Sequence, residues 1–113
     1  TAIASAAAAA AATAADVVCC EKNSILAGLS AELMGMNGFS ETIRVAPALS
    51  SDLELAMLGW ETGDRPGADV LVTEIFGDAP FSESVLPSLH HAFQVLACSS
   101  ARCVPCGVRV VAA

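Results

Sequence analysis

Cations, aromatic side chains and glycine-rich turns are all scarce in this chain. Five Lys and Arg stand against twelve Asp and Glu, a net charge of −7. So few bases leave no electrostatic footprint for nucleic acid or an anionic membrane surface, and a cationic partner suits the chain better. Aromatics make up 4% of the residues, with one tryptophan and no tyrosine. A core must therefore be built from alanine, valine and leucine, without large anchors. No repeat of fixed period is present. The apolar N-terminus has no basic segment before it, so no secretory signal is read there. Its alanine run is broken by Ser5 and Thr13. Alanine is weakly apolar but the best helix former, so a helix over 1–15 is predicted instead of a membrane span.

At 113 residues there is room for one small domain. The five cysteines are an odd number, and Cys19–Cys20 sit inside the apolar run Val17–Cys20. That pattern fits reduced, buried thiols in an intracellular protein better than a disulfide framework. Cys103-Val-Pro-Cys106 has CxxC spacing but no second pair. With only His90–His91 to add, a closed zinc set is not expected, and no redox role is assigned to it.

Hydrophobic patterning predicts alternating elements. "VVCC" reads as a strand ending at Glu21. "NSILAGLSAELMGMNG" reads as a helix capped by Asn23 or Ser24, with Ile25, Leu29, Leu33 and Met36 at helical spacing and Asn37-Gly38 as its stop. "TIRVA" is a short strand closed by Pro47, and "SSDLELAMLGW" a short helix capped by Ser50 or Ser51. Glu61–Gly67 is a surface loop. "ADVLVTEI" has the continuous apolar character of a strand buried on both faces. "SVLPSLHHAFQVLACSS" is a helix with Pro87 in its first turn, and "VRVVA" a last strand. This alternation predicts an α/β fold with a mainly parallel sheet.

Two acids close strands, and a third returns after the loop that follows one of them. An acid closing an early strand, as Glu21 does, suits the two hydroxyls of a nucleotide ribose, with a glycine-rich turn about 20 residues upstream. Residues 1–20 contain no glycine at all. Glu74 closes the Val/Leu strand, and Glu83 returns nine positions later across Gly77, Asp78 and Pro80. Loop polarity alone would account for such acids.

The segments "DVVCCEKN", "NGFSETIRV", "ADVLVTEIF" and "LPSLHHA" nevertheless occur in the order and spacing of the protein arginine N-methyltransferase family. The chain resembles that family over roughly Ala15 to Val111, and most nearly its arginine methyltransferase 7 subfamily. The resemblance implies a class I S-adenosylmethionine-dependent methyltransferase (Rossmann-like) fold, with S-adenosyl-L-methionine as methyl donor. It implies Glu21 on the ribose, Ser50 and Ser51 by the adenine, and Glu74 and Glu83 as the catalytic "double-E" pair that holds the substrate arginine. His91 matches a histidine read as structural, and Asp78 is read as a loop acid. Arginine-containing proteins such as histones or RNA-binding proteins would be substrates, with monomethylation favoured. Neither direct nucleic-acid binding nor a membrane is implied, and association between copies is left open. Cytoplasm and nucleus are the expected compartments.

Two glutamates suit a guanidinium for a physical reason. The cation stays protonated and presents a planar fork of five N–H donors. Two carboxylates engage two edges of that fork with charge-assisted bonds of roughly 1.5–3 kcal/mol each.

The family's glycine-rich turn, N-terminal helical segment, C-terminal β-barrel with its Thr-His-Trp loop, and dimerisation arm have no counterpart here, and Trp60 lies in no such motif. The expectation is an incomplete central part, 16–113 after the alanine-rich 1–15, lacking the first strand and inactive alone. The competing readings are a catalytically inactive interaction fragment or incomplete gene product, and a nicotinamide-dependent oxidoreductase. The last explains Glu21 but gives Glu74 and Glu83 no role.

Overall fold

A computed structural model describes residues 16–62, 66–76, 84–109 and 111. The helix expected over 1–15 lies outside them. The chain divides into two units, Thr1–Leu53 and Glu54–Ala113.

The first unit is a β-α-β crossover. Strand β1 (Val17–Cys20) and strand β2 (Ile43–Ala46) run parallel, in register from Val17 opposite Ile43 to Cys20 opposite Ala46. Parallel neighbours need a long connection, which helix α1 (Ser24–Met36) provides. Asn23 caps it as expected: its Oδ1 accepts from the Ile25 and Leu26 amides at 3.0 and 3.2 Å. At the other end the Asn37 amide and side chain both donate to the Leu33 carbonyl, and Gly38 takes a left-handed φ of 80°. Arg44 of β2 forks onto Asp16, donating from Nε at 3.2 Å and from Nη2 at 2.7 Å. Both ends of this pair are partly in water, so it contributes little stability.

The core of this unit is Cys19, Met34 and Ile43, flanked by Val17, Phe39 and Val45. The helix therefore does not bury the stripe that its spacing suggested. Ile25 is 80% exposed, Leu29 52% and Met36 77%, while Ala27 and Met34 face inward. Two four-residue strands cover only a narrow strip of α1, so one turn's worth of side chains is enough to meet them.

The segment after β2 also departs from expectation. Ser50–Asp52 form a single 3₁₀ turn capped by Leu49, without any side-chain cap bond, so neither Ser50 nor Ser51 is an N-cap. Leu53 is extended and buried, which stops the turn from continuing as one helix.

In the second unit the short helix α2 (Leu55–Leu58) ends at left-handed Gly59. Strand β3 (Ala68–Val72), helix α3 (Val85–His91), a π-helical turn (Ala92–Leu96) and strand β4 (Ala97–Val104) follow. Strands β3 and β4 are parallel, pairing Ala68 with Ala97 and Val72 with Val104 across a register shift. Pro87 stands in the first turn of α3 as predicted, and Val85 beside it is fully buried. Gly67 enters β3 with φ 98°, where a Cβ would lie 2.8 Å from backbone atoms of Leu96, Ala97 and Cys98.

Three expectations are corrected in this unit. Strand β3 is not covered on both faces: Val70 and Val72 are exposed, because among the described residues β4 is its one paired neighbour. The helix expected to run through Ser100 stops earlier, and "ACSSARCV" is strand. The described residues of "VRVVA" (Val108, Arg109 and Val111) are not strand. Local propensity favoured the valines, but pairing with β3 overrode it. Among the described residues no helix is long and apolar enough to cross a membrane, and no cluster of three metal-ligating side chains occurs.

Candidate functional site

Within each parallel pair the two strands end on the same side, and loops leaving such ends are where ligands are held in open α/β sheets. Glu21 leaves β1 at that side. Its amide donates to the Ala46 carbonyl at 3.0 Å, extending the ladder by one residue and fixing where the side chain starts. Its Oε1 accepts the Asn23 amide at 2.8 Å. A carboxylate has about four acceptor positions, so this one bond leaves capacity for a diol. Ser50 and Ser51 follow the same end of β2, the first half-buried and the second exposed. The β1–β2 pair thus brings Glu21 and the two serines to one carboxyl edge.

Glu74 leaves the corresponding end of β3, two residues past Val72, and is exposed. The residue before it is tied down, since the Thr73 amide donates to the Val104 carbonyl at 2.9 Å. Glu83 and Asp78 lie outside the described residues. The chain after Glu83 is held as firmly. Ser84 is left-handed at φ 56°, uncommon for a residue with a side chain, and Val85 has no exposed surface. His91 closes α3 half-buried, and its Nδ1 is buried without a hydrogen-bond partner among the described residues.

Sequence reasoning passed over a further feature. A cavity of about 430 Å³ opens beside β3 and β4, lined by Val70, Arg102, Cys103, Val104 and Cys106. The CxxC spacing was its signal. None of the described cysteines is in a disulfide. Burial, and then its neighbour Cys19, push the Cys20 thiol up to about 11. Burial, and then Cys106, likewise raise that of Cys103.

No family model matches the chain. Over 81 residues, 71% of its length, it is 31% identical to protein arginine N-methyltransferase 7 of Bos taurus. The chain spans 11% of that relative's length. This similarity supports a relationship to the arginine methyltransferases, and the short parallel strand pairs are compatible with part of a Rossmann-like fold.

Proposed function

We propose that this chain is part of a protein arginine N-methyltransferase that takes its methyl group from S-adenosyl-L-methionine. The observation that carries the reading is the position of the two acids. Glu21 and Glu74 each leave the carboxyl end of a parallel strand, where this fold class holds its ligands.

Glu21 has acceptor capacity for the ribose hydroxyls, and Ser50 and Ser51, which follow the same end of the neighbouring strand, would lie by the adenine. The cofactor supplies an electrophilic sulfonium methyl when bound. Glu74 and Glu83 would grip two edges of the substrate guanidinium and aim one terminal nitrogen. Such positioning lowers a barrier by on the order of 7–11 kcal/mol. Neither acid has to be a strong base, because the methylated nitrogen can lose its proton after transfer. The methionine end of the cofactor needs a glycine turn that residues 1–20 do not contain.

Grafting tests the clamp without depending on this chain's own completeness. Residues 68–89 would replace the matching segment of the bovine arginine methyltransferase. The chimera is expected to methylate an arginine peptide and to lose about 10²-fold or more in kcat on Glu74→Gln or Glu83→Gln, as for loss of other transition-state hydrogen-bonding groups. An active chimera indifferent to both substitutions would overturn the assignment.

A further inference from the structure

Cys103 and Cys106 belong to no part of the proposed methyl-transfer site. Strand β4 ends at Val104, the chain bends at Pro105, and both cysteines border the same cavity beside Arg102. Cys106 is exposed and Cys103 half-buried. The two thiols are near enough for Cys106 to disfavour the Cys103 thiolate electrostatically. No third metal-ligating side chain joins them among the described residues.

We propose that Cys103 and Cys106 form a reversible dithiol–disulfide site, oxidised by low-molecular-weight disulfides such as oxidised glutathione. The reading is independent of the methyltransferase assignment. The exposed Cys106 is the more accessible of the two thiols and attacks first. A bond forms between Cys106 Sγ and one glutathione sulfur, and the other glutathione leaves as a thiolate that takes up the proton Cys106 lost. Cys103 then attacks Cys106 Sγ, the mixed disulfide breaks, and the second glutathione leaves with the proton from Cys103. Two electrons pass from the cysteine pair to the glutathione disulfide, giving one protein disulfide and two glutathione thiols. A small dithiol reverses the sequence. Val104, between the two cysteines, is the acceptor for the Thr73 amide, so the cross-link acts on the bond that anchors the chain before Glu74.

Trypsin provides a clean readout. Cleavage after Arg102 and Arg109 releases Cys103–Arg109, which holds these two cysteines and no other. The whole chain would be incubated with oxidised glutathione in native buffer and, in parallel, in concentrated urea. The native sample is expected to yield this peptide lighter by about 2 Da, the two hydrogens of a closed disulfide, and dithiothreitol to restore the mass. Cys98→Ser should leave that result unchanged, and Cys103→Ser should trap Cys106 as the glutathione adduct. Closure at equal oxidant should be roughly tenfold greater natively than in urea, and exchange of the Thr73 amide should slow several-fold on oxidation. A peptide left reduced, carrying two glutathiones, linked to Cys98 or linked to another chain would overturn the proposal. Equal closure in urea would also overturn it, since spacing alone would then suffice.

Discussion

Replacing Met34 by alanine separates two accounts of helix α1. Residue spacing points to Ile25, Leu29, Leu33 and Met36 as the buried face, whereas the structure packs Met34 against Cys19 and Ile43. Met34 is 6% exposed, and Leu29 is 52% exposed. Truncating a buried methionine costs about 2–5 kcal/mol, the value depending on how far the neighbours collapse. Met34 sits in a cluster of three buried residues with partly covered neighbours that can move inward, so about 2–3 kcal/mol is expected. Leu29→Ala removes a side chain already half in water, so its cost is about 1 kcal/mol or less, partly offset by alanine's helix propensity. A unit the size of Thr1–Leu53 has a total stability of about 3–8 kcal/mol, so the Met34 change removes roughly a quarter or more of it. Urea unfolding followed by amide exchange at Cys19 and Ile43 reads this unit alone. With a slope of about 1 kcal/mol per molar, Met34→Ala should lower the midpoint by roughly 2–3 M and Leu29→Ala by under about 1 M. A Leu29→Ala loss equal to or larger than that of Met34→Ala would refute the packing argument.

Two glycines should respond in opposite directions to alanine. Gly67→Ala forces a Cβ against the backbone at Leu96–Cys98 in a left-handed conformation, and should cost roughly 2 kcal/mol or more, read from exchange of the Thr73 amide. Gly28→Ala, in α1 with open space around it, should stabilise the first unit by about 1 kcal/mol in the same urea assay. Cys20 gives a pH test. Its thiol rises from 9.0 to about 11 on folding, so the neutral form is favoured in the folded state. Its contribution is complete below pH 9 and is lost as pH climbs from 9 through 11. Alkylation of Cys20 should accelerate near pH 11 in native buffer but near 9 in urea, and coincident profiles would contradict the burial.

Local signals were strong where one short segment could satisfy itself. Asn23 and Asn37-Gly38 bracket α1 through bonds to their own neighbours, so cap chemistry located that helix from sequence alone. "VVCC", "IRVA" and "ADVLV" were legible as strands from apolar residues bounded by polar or turn residues, and the alternation of strand and helix implied parallel pairing. The positions of Glu21 and Glu74 followed, because a strand's end is a local property. What needed tertiary structure was anything decided by a partner distant in sequence. Which face of α1 is buried depends on how much strand surface lies beneath it, and two short strands select Met34. The last strand is "ACSSARCV" because it hydrogen-bonds with β3, although its own residues have weaker β preference than "VRVVA". The cavity shared by Cys103 and Cys106 likewise exists only because β3 brings Val70 alongside β4. Spacing could propose the dithiol, but strand pairing decided what surrounds it.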